Sequence, residues 1–79
     1  MIQNLRAMFE LSLSRADHVR KYSIVAVAPS GWEVRCQEDQ TTCRLDHYED
    51  WHRVERALKA FQMEVRRLSE TGWHVASAS

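Results

Sequence analysis

Apolar positions in the second half of the chain recur at alternating spacings of three and four residues, as on one face of an α-helix. They form a single stripe made of Trp51, Val54, Leu58, Phe61, Val65 and Leu68. Asp46 and Glu49 have the types and spacing of a capping box, and Gly72 is the residue type that ends helices in a left-handed conformation. The pattern therefore predicts one long helix over residues 47–71. Its stripe is expected to pack on a sheet, with a coiled-coil seam as the alternative.

Shorter apolar runs separated by turn residues precede this helix, as in β-hairpins. Tyr22–Ala28 and Trp32–Gln37 have the composition of strands, and Pro29-Ser30-Gly31 lies between them as a three-residue loop. A third run follows and ends at Asp46. These runs predict a three-stranded antiparallel meander over residues 22–46.

The three-residue loop implies a definite register for the meander. Cys36 then lies opposite Ile24 on one side and Cys43 on the other, and Val34 lies opposite Leu45. Because side chains alternate between the faces of a strand, all these residues share one face. We expect this apolar face to contact the long helix.

The two ends of the chain carry weaker patterns. Apolar residues at positions 2, 5, 9, 13 and 16 recur roughly as on a helix, which predicts a short N-terminal helix within residues 1–20. Alternation in Trp73–Ala76 predicts a short strand within residues 72–79. A chain of 79 residues is long enough for one core. We therefore expect a single α+β domain spanning residues 1–79.

The face of the predicted sheet that points away from the helix carries two adjacent arginines, Arg35 and Arg44. Like charges directly across strands repel each other unless an anion neutralises them, so this pair indicates a phosphate or carboxylate site. The alternative is a surface ion network, because Glu33 and Asp46 lie diagonally within reach of both arginines in this register.

Val25 and Val27 lie on the same outer face and make the first strand of the meander apolar on both sides. As an uncharged edge, this strand is expected to be covered. The cover is the N-terminal helix, the segment Trp73–Ala76 or the same strand of a second copy in a twofold dimer. Dimerisation through this strand is favoured, because so short a chain has a marginal core.

Cys36, Cys43 and His47 have the side-chain types of zinc ligands, but their spacing does not match a zinc finger. The prediction is a pair of reduced thiols that pack as small apolar groups, with metal or redox use as the alternative. The sequence has no phosphate-binding glycine loop and no nucleophile elbow. We therefore predict no metal, no cofactor and no catalytic activity.

Charge and hydropathy narrow the functional classes further. Eleven basic and eleven acidic residues give a formal net charge of zero, which argues against a dedicated polyanion binder. No apolar run is long enough to cross a bilayer, so a cytoplasmic protein without membrane contact is expected. The predicted function is a protein-interaction module that self-associates.

The alternative function is nucleic-acid binding through the outer sheet face, with Arg35 and Arg44 on phosphates. A three-stranded sheet backed by a helix resembles, in layout alone, the arm-type DNA-binding domains of phage integrases. Glu33 and Asp46, which lie on the same face in the predicted register, would repel phosphates there.

Overall fold

The computed structural model describes residues 6–78, with side chains described for residues 8–78. It contains a five-stranded antiparallel sheet and one helix, so the predicted α+β class is confirmed. The elements are β1 (Arg6–Arg15), β2 (His18–Ala26), β3 (Trp32–Glu38), β4 (Thr41–Tyr48), α1 (Trp51–Ser69) and β5 (His74–Ala78). The strand order is β4-β3-β2-β1-β5, so the sheet has two strands more than the predicted meander.

Strand β1 occupies the region for which an N-terminal helix was predicted, and that prediction was wrong. From Phe9 to Ser14 apolar and polar residues alternate strictly, which is the period of a strand half-buried on one face. Leu13 is completely buried, whereas the serines point to the other face. Residues 1–5 of the predicted helix lie outside the described residues.

Strand β2 is the centre of the sheet and not an edge. It pairs with β1 on one side and with β3 on the other, so both of its hydrogen-bonding edges are occupied. Val25 lies between Ala7 and Glu33 in the ladder, and Val27 follows the end of the strand. The prediction that this strand has a free edge was therefore wrong, because β1 covers that edge within the same chain. Self-association of the protein stays a prediction.

The loop of the β2–β3 hairpin is longer than predicted. Residues 27–31 form the loop, in which the Val27 N–H donates to the Gly31 carbonyl at 3.1 Å. Tyr22 consequently pairs with Cys36, and Ile24 pairs with Val34. The register differs from the predicted one by two residues, and an even shift leaves every side chain on its predicted face.

The β3–β4 hairpin departs from prediction by an odd shift, with larger consequences. Gln37 pairs with Thr42 as predicted, but Cys36 pairs with Arg44 because a β-bulge interrupts the ladder at this point. Cys43 is the extra residue. Arg44 and the alternate residues after it therefore point toward α1, whereas Leu45 points away from it.

Helix α1 begins later than predicted. Asp50 caps it, because its carboxylate accepts a hydrogen bond from the His52 N–H at 2.9 Å; Asp46 belongs to β4 instead. Beyond the other end, Gly72 has a φ of 100° and the Trp73 N–H donates to the Leu68 carbonyl. A glycine ends the helical segment as the sequence predicted.

The core lies between α1 and one face of the sheet. It consists of Leu13, Tyr22, Ile24, Val34, Cys36, Val54, Ala57, Phe61 and Trp73. The ring of Phe61 lies at its centre, 4.7 Å from that of Tyr22 and 6.4 Å from that of Phe9, measured between centroids. Within residues 6–78 no helix has the length and apolar character needed to span a bilayer.

Candidate functional site

A groove lies between the edge strand β4 and helix α1. Its volume is about 250 Å³. Three arginines and a tyrosine surround it and two alanines form part of its wall; the lining residues are Arg44, Tyr48, Arg53, Arg56, Ala57 and Ala60. We call it the arginine groove. The small alanine side chains leave space between the strand and the helix, and the arginines border that space.

Local structure on both sides aims the arginines into the groove. On β4 the bulge turns Arg44 and Tyr48 toward the helix. On α1, Arg53 and Arg56 are three residues apart and therefore lie on the same side of the helix. The three guanidinium groups thus border one space from two different elements.

Arg44 is held in place by three contacts. Its Nε donates to Asp46 Oδ2 at 2.7 Å, and its Nη2 donates to the Tyr48 hydroxyl at 3.2 Å. Its guanidinium carbon lies 5.7 Å from the centroid of the Phe61 ring. The hydrogen bond to Asp46 is the largest cause that raises the pKa of Arg44 above its ordinary value. Arg44 is therefore a fixed, fully charged part of the groove.

Arg53 and Arg56 differ from Arg44 in having no ion pair with any of residues 8–78. Both side chains are exposed. Asp46 is the acidic residue bonded to the groove arginines, and it neutralises one of their three charges. The groove is thus positively charged in a protein whose formal net charge is zero.

A second, smaller cavity adjoins the arginine groove at Arg44 and Ala60. Its volume is about 200 Å³, and we call it the thiol pocket. Its lining residues are Arg20, Cys36, Cys43, Arg44, Ala60, Phe61 and Glu64.

A hydrogen-bond network closes one side of the thiol pocket and links α1 to the sheet. The Tyr22 hydroxyl donates to Glu64 Oε1 at 2.6 Å, and Arg20 Nε donates to the same hydroxyl at 2.7 Å. Arg20 is also paired with Glu38. Burial, followed by the hydrogen bond with Glu64, raises the pKa of Tyr22 well above its ordinary value. Arg20 thus contacts both Tyr22 and Glu38, which gives it a structural role.

The predicted pairing of Arg35 with Arg44 on one outer face was wrong. Arg35 lies on the face away from α1, opposite Leu45, while Arg44 lies on the helix side. The bulge at Cys43 is the cause, because one extra residue reverses the faces of the strand that follows. The predicted four-membered ion network is likewise divided into Arg35 with Glu33 at 3.1 Å and Arg44 with Asp46.

The outer face carries a shallow basin of about 450 Å³. Arg35 and Lys21 line it together with Glu10 and several serines, so charges of both signs occur there. Arg35 Nε is buried and has no hydrogen-bond partner among the side chains that the structure describes. Val25, predicted as a binding residue, is half-buried on this face, and Val27 is half-buried in the loop after β2. The outer face thus lacks the charge bias of the arginine groove.

The three weak metal-ligand candidates are not brought together. Cys36 and Cys43 both line the thiol pocket and are free thiols. His47 lies on the opposite face of the sheet, where its Nε2 is 3.1 Å from the Ser30 carbonyl oxygen. Among residues 6–78 no group of three metal-ligating side chains is found.

Sequence reasoning missed Arg53, Arg56 and Tyr48. On the helix, Arg53 and Arg56 are each followed four residues later by an alanine, Ala57 and Ala60. This spacing places the four residues on one side of the helix, but it does not indicate which strand faces them.

Fold and groove together define the class: a small α+β domain with a basic cleft beside an exposed edge strand. A scan against protein families, a search of curated proteins and a search of solved structures found no match to this chain.

Proposed function

We propose that this protein is a peptide-binding interaction module, in which an extended acidic segment of a partner protein adds to the edge of β4 and places carboxylates in the arginine groove. The observation that carries this proposal is the position of three converging arginines directly beside an edge strand.

Strand addition explains why the partner is a peptide. Among residues 6–78, β4 is the last strand on its side of the sheet, so within that range one row of its backbone N–H and C=O groups has no strand beside it. An extended peptide satisfies such groups by pairing with them. Its alternate side chains then point toward the helix and reach the groove.

Charge explains why the segment is acidic. Guanidinium groups bind carboxylates through paired hydrogen bonds, and Arg53 and Arg56 have no ion pair with residues 8–78. An acidic side chain at every second position of the peptide would meet the groove. Basic or apolar segments would leave the groove charges uncompensated.

The test is a titration of the protein with a capped peptide of alternating valine and glutamate, about eight residues long, which is the length of an ordinary strand. Binding is followed by amide chemical shifts. We expect shifts along β4 and at positions 53–60 of α1. We expect no shifts in β5 at the far edge.

Two matched variants distinguish a contact inside the arginine groove from a general effect of positive charge on α1. Arg56→Gln should raise the Kd about tenfold, because a charge-assisted hydrogen bond is lost. Lys59→Gln removes the same charge from the same helix but does not line the groove, and it should leave the Kd within about twofold, since exposed charges interact weakly. Equal effects of the two variants would contradict the proposal.

Two control ligands distinguish other occupants. The same peptide with glutamine in place of glutamate should bind at least about tenfold more weakly, by the same loss of charged contacts. A duplex DNA fragment tests the alternative of nucleic-acid binding. Tighter binding of the DNA than of the acidic peptide would reject the peptide proposal.

Self-association remains a second candidate, favoured by one observation on the other edge of the sheet. Every residue of β5 is exposed, and the strand contains no Lys, Arg, Asp, Glu or Pro. Charged residues and proline on an edge usually prevent pairing with another strand, and β5 has neither; its ladder with β1 has one irregularity, between Ser12 and Leu13. Antiparallel pairing of two β5 strands about a twofold axis would join two sheets into one.

A further inference from the structure

The bulge in β4 brings two cysteines together across the ladder. Cys36 pairs with Arg44 and Gln37 pairs with Thr42, so Cys43 is the extra residue of the bulge and lies between these two pairs. Cys43 is therefore an immediate cross-strand neighbour of Cys36. A disulfide requires two residues that are close in this way, with Cα separations of about 4.4–6.8 Å.

The two side chains also share a cavity. Both cysteines line the thiol pocket, and Cys43 is one of the groups that raise the pKa of Cys36. Both are free thiols, and the Cys43 thiol donates to the Thr41 carbonyl oxygen at 3.7 Å.

The two thiols differ in their surroundings, which assigns them different roles. Cys36 is 3% exposed, and burial raises its pKa to about 11, with the nearby Arg20 charge acting in the opposite direction. Cys43 is exposed. Because the thiolate is the attacking species, the accessible Cys43 meets the oxidant first and the buried Cys36 follows.

We infer that Cys36 and Cys43 are a thiol–disulfide exchange site that forms an intramolecular disulfide with a small-molecule disulfide such as oxidised glutathione. This inference is independent of the proposed peptide binding. It rests on the bulge and on the shared pocket.

The exchange balances in two steps. The Cys43 thiolate attacks one sulfur of the small disulfide, the bond between its two sulfurs breaks, and one thiolate leaves and takes up a proton. Cys36 then loses its proton to solvent and attacks Cys43 Sγ, which releases the second small thiol. Two protein thiols are oxidised, and one small disulfide is reduced to two thiols.

The test equilibrates the full chain in glutathione buffers of graded oxidised-to-reduced ratio, followed by acid quenching, alkylation and mass spectrometry. We expect the folded protein to lose two hydrogens and to give one fragment pair linked through Cys36 and Cys43. The same chain in guanidinium chloride is the reference, and it should need a buffer about tenfold more oxidising, because folding holds the thiols together.

Single-cysteine variants assign the order of attack. Cys36→Ala should stop at the mixed disulfide and gain one glutathione on Cys43. Cys43→Ser changes an exposed residue, so it should fold and react slowly or not at all at Cys36. If Cys36→Ala does not fold, the experiment on the wild-type protein still tests the inference by itself. A folded wild-type protein that accumulates the Cys43 mixed disulfide, or that forms the internal disulfide no more readily than the unfolded chain, would overturn the inference.

Discussion

Gly31 and Gly72 adopt almost the same backbone conformation in different surroundings. Their φ angles are 102° and 100°, a region that residues with a Cβ avoid. A Cβ on Gly31 would lie 2.7 Å from His47 Nε2 and from the Tyr48 carbonyl oxygen. A Cβ on Gly72 would lie 3.6 Å from Arg15 Nε, which is ordinary contact. The pair therefore separates backbone strain from steric exclusion.

Replacing each glycine with alanine should have unequal costs. Gly72→Ala should lower the free energy of unfolding by about 1–2 kcal/mol through backbone strain alone. Gly31→Ala should cost about 2 kcal/mol more, because the strand at His47 must move away. Urea denaturation measures both. Equal losses would mean that the β2–β3 loop makes room for the added Cβ at no energetic cost.

His18 and Asp39 form a pH-dependent contact between β2 and the β3–β4 turn. His18 Nδ1 lies 2.6 Å from Asp39 Oδ2, and the Val19 N–H donates to the other carboxylate oxygen at 2.8 Å. The hydrogen bond with Asp39 raises the pKa of His18 above 6.5, and the same contact, followed by that of Val19, lowers the pKa of Asp39 below 3.8.

The signs of these two shifts define where the contact stabilises the fold. The contribution of His18 is fully present below pH 6.5 and is lost as the pH rises through its folded pKa. The contribution of Asp39 is present above pH 3.8 and is lost as the pH falls through its folded pKa. In an NMR titration, Asp39→Asn should return the His18 pKa toward 6.5. A wild-type His18 pKa at or below 6.5 would contradict the contact.

At the scale of elements, the sequence prediction was most accurate for α1, where one apolar periodicity continues over many residues and a glycine marks the C-terminal end. The stripe from Val54 to Leu68 and the glycine at position 72 defined α1 to within a few residues. The N-terminal strand was missed because residues 2 and 5 extended an apparent helical spacing across the alternation that begins at Phe9. Short apolar runs satisfy both periods, and the pairing with β2 decides between them.

The arginine groove could not be predicted, because it depends on which alternate residues of β4 face the helix. An even error in the β2–β3 loop left all faces correct, whereas one extra residue after Cys36 exchanged the two faces of β4. The composition of β4 does not reveal this, since polar and apolar residues occur on both of its faces. Arg44 could therefore be named as a binding candidate, but its partners could not.

At the scale of the molecule, α1 connects the two opposite edges of one sheet. It leaves β4 at one end of the strand order and delivers the chain to β5 at the other. The two edges differ in charge: β4 contains Arg44 and Asp46, whereas β5 contains no Lys, Arg, Asp or Glu, and the ladder of each edge strand has one irregularity. The charged edge suits the proposed acidic peptide, and the uncharged edge suits the proposed pairing with a second copy.

Self-association through β5 is testable with a matched pair of lysine substitutions. Wild-type protein should show a dimer mass by light scattering at high micromolar concentration. Ala76→Lys should be monomeric, because a charge on an edge strand prevents pairing. Met63→Lys adds the same charge at a residue of α1 that is 66% exposed, and it should remain dimeric. A wild-type protein that is monomeric throughout would reject this candidate.

The bulge also determines how the chain tolerates the loss of a residue. Removing a residue from the middle of a strand normally turns everything beyond it inside out. Without Cys43, however, Thr42 and Arg44 would become neighbours and would still lie opposite Gln37 and Cys36, now in regular pairing. Deletion of position 43 should therefore leave every later residue of β4 on the face of the sheet that it occupies now.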